Sequence, residues 1–449
     1  MNSAVINGVL KPLGSDDLTP SSTPTARGSI AVPGVSSQTS TLRRLLAFAG
    51  PGYLVAVGYM DPGNWATALG GGSAFGYSLL SVMVLANVMA MLLQAAAIRL
   101  GTVTGMDLAQ CCRRYFGTRS CLALWLGCEV AVIACNLAEV LGMACGLELL
   151  FHIPLTLGVC ITAGDAMLLL GLQRYGMRRL EAFILALVLM IGVCFAVELW
   201  WLQPSLAAVA AGLIPTSRIL VRPDMLYLAV GIIGATVMPH NLYLHSAIVQ
   251  TRNQHRCDAG IAQAIRFATL DSNVALMLAL LVNMAILVLA AAAFHHVGQS
   301  TQVGIQDAYH LLAPLLGTSA ASAVFGAGLI ASGLSSSVTG TLAGQIVMEG
   351  FLDIHLSRTK RALLTRALAI VPAIMVTAWF GSNGLERLLV MSQVILGLQL
   401  PFAVVPLLWF TTRREYLGGM AFKRTTAASL WSIAAVVIGM NLWVIWKLW

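Results

Sequence analysis

The chain has 449 residues, 58% of them hydrophobic and 10% charged, with a mean hydropathy of +0.83, whereas a soluble domain carries about 25% charged residues. This excludes a water-soluble globular enzyme and points to an integral membrane protein. The net charge of +8 is no nucleic-acid footprint, because the cations gather at the joints between apolar runs.

Residues 1–44, rich in Ser, Thr, Gly and Pro, are expected as a disordered cytoplasmic tail with no signal peptide. Apolar runs bounded by Gly, Pro and charge then predict eleven helical spans. They lie near 45–70, 77–98, 121–150, 154–172, 181–202, 225–250, 268–294, 319–348, 362–380, 388–410 and 427–446. With a cytoplasmic N-terminus, Arg218, Arg222, Arg387 and Lys447 fall outside and the other 22 of the 26 cations inside. That asymmetry predicts an external C-terminus in a multi-pass protein of the inner (plasma) membrane. The nine Cys include no C-x-x-C pair and read as packing residues.

Two spans are interrupted where they should be most uniform. GYMDPGN at 58–64 and GATVMPHN at 234–241 align as x-Pro-x-Asn, with Pro62 and Pro239 separated by 177 residues. Five spans start with each interruption, so the second copy enters from the opposite side. The expectation is an all-α polytopic protein with one inverted repeat over 45–203, a second over 204–411, and an extra helix in 412–449. Each proline removes a backbone donor and pushes the residue before it out of helical dihedrals. Freed carbonyls inside a membrane must be buried or line a polar cavity, so two breaks at one depth predict a shared central site.

The donor atoms there are the Asp61 carboxylate, the Asn64 amide oxygen, the Met238 thioether and the carbonyls of Gly58 and Ala235. Such an acceptor-rich, negative set wants a cation, and the soft sulfur tilts it toward transition metals. The sequence resembles the Nramp (natural resistance-associated macrophage protein) family of proton-coupled divalent metal transporters, of the bacterial manganese type. The likeness runs over residues 41–411 through GYMDPGNWATAL, NLAEVLG, MPHNLYLHSA, LTRALAIVPA and MSQVILGLQLPFA. It implies a LeuT-type fold with helices 1 and 6 discontinuous, and import of Mn²⁺, Fe²⁺, Cd²⁺, Co²⁺ or Zn²⁺. It also implies a metal held by Asp61, Asn64 and Met238, with a carbonyl of Ala235 or Gly58 and with Gln393.

For protons, Glu139 shares a helix face with Cys135 and Asn136, and the resemblance makes it part of an exit route. The family's usual Asp is here Asn136, which cannot titrate. Either Glu139 and Glu129 with His240 carry the proton, or coupling is altered while metal passage persists. For His240, beside the metal position, the resemblance implies a proton and gating role rather than ligation, whereas His245, off that face, reads equally as polar packing or function. Arg366 reads as the end of the proton route, paired with third-span acids, or as a cytoplasmic anchor. His295, His296 and His310 read as solvated loop residues.

The partners expected are divalent metal ions, protons and the lipid bilayer, with no nucleic acid, no cofactor and a monomeric chain. An enzyme is disfavoured, since H-E-x-x-H, G-x-S-x-G and Walker motifs do not occur. A Na⁺-coupled amino-acid symporter of the same architecture is the rival reading, but the breaks offer few donors for a substrate carboxylate. A Mg²⁺-selective relative is disfavoured by Met238.

Overall fold

The computed structural model describes residues 30–31, 48–165, 177–253, 257–295, 303–316, 319–354 and 358–448. Apart from a two-residue parallel strand pair, β1 (Ile30–Ala31) with β2 (Arg252–Asn253), the elements are helices. Of the tail expected over 1–44, only β1 lies within the described residues, and it is ordered against β2 rather than free.

The first break falls where proline demands it. Helix α1 (Pro51–Ala56) tightens into a 3₁₀ turn over Val57–Met60, opens at Asp61 with ψ 162, and resumes as α2 (Pro62–Phe75). Asp61 is the N-cap of α2, its carboxylate accepting the Asn64 N–H (2.8 Å), and Pro62 holds the first helical position. Gly76, at φ +59, then turns the chain into α3 (Leu80–Thr104). A short helix α4 (Leu108–Tyr115) precedes α5 (Thr118–Phe151), α6 (Leu155–Thr162) and α7 (Met177–Leu202).

The short α8 (Leu206–Gly212) and α9 (Arg218–Val221) lead to α10 (Pro223–Val237), which stops at Met238 before α11 (Pro239–Ile248) begins. Met238 takes φ 44 and ψ 98, a left-handed geometry costly for a side chain with a Cβ. Then come α12 (Asp258–Phe294), α13 (Ile305–Leu316), α14 (Ser319–Leu352), α15 (Arg358–Thr412), α16 (Arg414–Leu417) and α17 (Arg424–Leu448).

Eight helices are long and apolar enough to cross a bilayer among the described residues, fewer than the eleven expected. Two of these differences have a local cause. The first and second spans run together as Pro62–Thr104 once α1 is split off. The fourth is described only to residue 165, and the rest of that expected span lies outside the described residues. The ninth and tenth share the helical element α15.

That element is not straight. On a straight helix Arg366 and Gln393 would stand about 40 Å apart. Yet Arg366 pairs with Glu139, and less than one turn further along α5 Gly142 lies against Pro62, beside Gly63, which in turn touches Gln393. The chain of α15 therefore departs from a straight helix between Arg366 and Gln393.

The centre is built from the broken helices. Every residue of α11 is buried, as is α10 from Leu228 to Val237, which is the pattern of a helix surrounded by other helices. Around them α5 packs along α14 and α15, α10 along α15 and α3, and α12 along α1, α2 and α3. Gly142 is needed on α5 because a Cβ there would run into the Pro62 ring that opens α2.

Candidate metal centre

The two breaks face one another, and the polar side chains between them are held by backbone groups that the breaks release. Met60 C=O accepts from the Trp65 indole (3.2 Å) and from the Ser332 hydroxyl, and Tyr59 C=O from Asn283 Nδ2 (2.7 Å). Val55 C=O accepts from Asn241 Nδ2 (3.4 Å), and Val237 C=O from the Tyr59 hydroxyl (3.4 Å). Side chains from α2, α11, α12 and α14 thus satisfy the interrupted ladder.

Asp61 is fully buried, and its two oxygens have different work. Oδ1 takes both the backbone N–H and the side-chain Nδ2 of Asn64 (2.8 and 2.6 Å), while Oδ2 meets only a long contact from Gln393 Nε2 (3.4 Å). One oxygen is spent on the helix cap and the other is turned toward α15. Asn64 Nδ2 also donates to the Ala235 carbonyl (3.0 Å), tying the first break to the second. The Met238 sulfur accepts from Asn241 Nδ2 (3.3 Å) and lies 3.1 Å from where a Cβ on Gly58 would stand. Glycine at 58 is therefore what lets the 3₁₀ turn close over the thioether.

All six residues expected around the metal, Asp61, Asn64, Met238, Ala235, Gly58 and Gln393, fall in this one region. The Gly58 carbonyl, expected to be freed, instead accepts the Asp61 N–H (3.3 Å). Among the described residues no three His, Cys, Asp or Glu side chains gather as a metal cluster. The centre is thus a single carboxylate assisted by neutral amide, carbonyl and thioether groups.

Beside it, His240 is buried in the first turn of α11, and neither ring nitrogen has a partner among the described residues. His245 is fully buried as well. Its Nδ1 donates to Gln94 Oε1 (2.8 Å), and Gln94 Nε2 donates to the Tyr59 hydroxyl (2.7 Å), so one string of hydrogen bonds links both breaks through α3.

Glu139 pairs with Arg366 (3.3 Å) and accepts from Cys135 Sγ (3.6 Å). Arg366 also pairs with Asp165 (2.8 Å), to which Ser337 Oγ donates (2.7 Å). Arg366 is fully buried rather than a surface anchor. Asn136 Nδ2 donates to Val132 C=O within its own helix (2.7 Å). Glu129 is half-buried and about 15 Å away from Glu139 along α5, so it does not join the cluster. His295 is not a free loop residue, since its Nδ1 donates to Ser73 C=O (2.8 Å); His296 lies outside the described residues.

Nothing in the sequence marks Tyr59, Gln94, Asn283 or Ser332 as partners, and Asp165 carried no role there. Their contacts join segments far apart in the chain. Asn241 alone had a signal, as the Asn of the repeated x-Pro-x-Asn.

A family model described as natural resistance-associated macrophage protein-like matches residues 52–447. Among curated proteins, the chain is 53% identical over 424 residues to a divalent metal cation transporter, MntH, of a Nostoc species, covering 94% of this chain and 95% of that one. It is 58% identical over 400 residues to the MntH of Bradyrhizobium diazoefficiens, covering 89% of each. Among solved structures, a manganese transporter of Eremococcus coleocola in complex with an aromatic bis-isothiourea compound superposes with a TM-score of 0.85. The two are 37% identical, over 94% of this chain and 90% of that one. Mhp1, a nucleobase-cation-symport-1 transporter in a closed conformation, superposes with a TM-score of 0.57 at 15% identity, over 89% and 91%. At that identity the likeness shows the fold alone, the inverted-repeat architecture of LeuT-type transporters.

Proposed function

The chain belongs to the Nramp family, and from that premise we propose that it imports divalent transition metal ions, Mn²⁺ first and Fe²⁺, Cd²⁺, Co²⁺ and Zn²⁺ beside it, by proton-coupled alternating access. The observation that carries this reading is the pairing of the Asp61 carboxylate with the Met238 thioether in two facing helix breaks. The relatives named as divalent metal and manganese transporters support it.

The substrate cation binds Asp61 Oδ2, the one carboxylate oxygen not spent on the α2 cap. Asn64, Gln393 and the Ala235 carbonyl supply oxygens, while Met238 supplies the soft ligand that separates Mn²⁺ from Mg²⁺ and Ca²⁺. Binding draws the Asn64 amide away from Asp61 and Ala235, so the two breaks move together when the ion arrives. Because Asp61, Met238 and Gln393 are fully buried, the ion reaches and leaves them only when the helices around the breaks shift. The halves 45–203 and 204–411 each supply one broken helix to this motion, and the cation-rich joints place the N-terminus in the cytoplasm. His240 receives a proton beside the metal, and Glu139 with Arg366 leads it away.

Proteoliposomes loaded with a metal-sensitive dye test the site. Asp61→Ala is expected to abolish Mn²⁺ uptake, and uptake at the wild-type rate would put the site elsewhere.

A further inference from the structure

We propose that Asp165 is the second proton-holding carboxylate of the exit route, filling the part that Asn136 cannot play by sharing one exchangeable proton with Glu139 around the fixed charge of Arg366. This rests on the proton-coupled reading above.

The third span brings no second acid to Glu139, since Glu129 stands about 15 Å away along α5. Asn136 is buried and cannot take up a proton. Its Nδ2 is committed to Val132 C=O, and its Oδ1 has no partner among the described residues. The acid comes instead from the segment after α6. There the Asp165 carboxylate receives Arg366 Nη2 (2.8 Å) and the Ser337 hydroxyl (2.7 Å), while Arg366 Nη1 reaches Glu139 (3.3 Å). Ser337 also touches Arg366 Nη2, so α14 closes the arrangement from a third side.

Counting charge in this place leads to the shared proton. The charged and titratable groups that act on Glu139 are Arg366, Asp165, Asp61 and Cys135, and only Arg366 is positive. The Arg366, Glu139 and Asp165 side chains are exposed by 2%, 0% and 5%, so water does little to offset an unbalanced charge. One guanidinium and two carboxylates leave one negative charge over, whereas one proton on either carboxyl makes the set neutral. The guanidinium cannot give up its own proton, so it holds both acids in place without passing anything itself. When the proton moves, the Glu139 carboxyl becomes a carboxylate and the Asp165 carboxylate becomes a carboxyl. The total charge of the set is unchanged, and the two acids titrate as one unit.

Asn136 and Glu139 lie against the same Gly340. A Cβ there would sit 2.9 Å from Glu139 Oε1 and 3.4 Å from Asn136 Nδ2. An aspartate restored at 136 would therefore stand beside the same cluster.

The test records Mn²⁺ uptake and internal pH together in proteoliposomes. Asp165→Asn is expected to retain Mn²⁺ uptake while metal-driven proton influx falls by at least about tenfold. The Asp165→Asn, Asn136→Asp double variant is expected to recover it. Undiminished proton influx in Asp165→Asn, or no recovery in the double variant, overturns the proposal. Should Asp165→Asn lose metal uptake as well, Asp165→Glu decides. A shifted pH midpoint of proton influx supports the role, and an unchanged profile overturns it. A wild-type protein that moves Mn²⁺ with no proton influx would instead overturn the proton-coupled reading itself.

Discussion

Met238 combines an unfavourable backbone with a chemically chosen side chain. Its φ of 44 ends α10 while its carbonyl accepts the Asn241 N–H that starts α11, so the strain buys the break that exposes the site. Alanine accepts the same backbone no less readily, which makes Met238→Ala a test of the sulfur alone. The variant is expected to keep Mn²⁺ uptake with weaker affinity and to let Mg²⁺ and Ca²⁺ compete about tenfold better, a change of about 1.4 kcal/mol in relative binding. Competition curves in the dye assay measure it, and unchanged curves would mean that the oxygens alone select. At this scale the sequence was legible wherever function is written into neighbouring residues. Asp61-Pro62-Gly63-Asn64 is at once an N-cap signature and half of a repeat. The opposite case is Asp165, whose partners Arg366 and Ser337 lie 201 and 172 residues away, a distance over which periodicity carries no information. The two oxygens of Asp61 also needed the structure, because only geometry separates the one that caps α2 from the one that faces Gln393.

Elements were legible by kind, and less so in their boundaries. Apolar runs mark helices because every backbone group in a bilayer must be bonded, and the two proline breaks appear at the residues expected. Length alone, however, does not tell a span from half of one, which is how the short α1 and the long element α15 depart from one span per run. The joint helix α4 shows what an element boundary can add. Asp107 and Gln110 form a capping box at its start, with the end of α14 pressed on it, a Cβ on Gly350 falling 3.0 Å from Asp107 Oδ1. Burial pushes the Asp107 carboxyl up to about 7, and the charge of Glu349 adds to this, against the lowering effects of the Gln110 and Ala109 N–H groups and Arg113. The folded chain therefore holds this proton at pH values where the unfolded chain, near 3.8, has released it. Stability falls as pH rises from about 4 to about 7, by an amount on the order of a few kcal/mol. Asn caps a helix as well as Asp does, so Asp107→Asn is expected to keep α4 and remove this slope. Melting temperatures in detergent from pH 4.5 to 8 (chosen to bracket about 7) should converge for wild type and variant at the acid end and separate toward pH 8. Parallel curves would refute the assignment.

At the scale of the molecule, the start of α1 is tied down by residues from three distant elements. Asp271 of α12 accepts the N–H groups of Gly52 (2.7 Å) and Gly50 (3.2 Å), a carboxylate set on a helix N-terminus. Arg252, on β2, donates to the carbonyls of Ala49 (2.8 Å) and Phe48 (3.3 Å) and pairs with Glu181 of α7 (2.8 Å). The guanidinium is 1% exposed and the carboxylate 7%, so removing one partner strands a buried charge, at about 3–5 kcal/mol. By contrast Arg113–Asp353 is 35% and 66% exposed and contributes little. The Arg252 cluster ties down the start of α1, the helix that leads into the first break, so under the proposed alternating access its loss is expected to let that face open more often. Arg252→Ala is expected to raise the labelling of a Val55→Cys probe by a membrane-impermeant maleimide, with the exposed Cys160 and Cys257 replaced by Ser. Arg113→Ala is expected to leave the labelling where it was. Equal labelling in both variants would show that the cluster holds the fold together without governing access, since Val55 is 1% exposed in the closed arrangement and reacts only when α1 moves away.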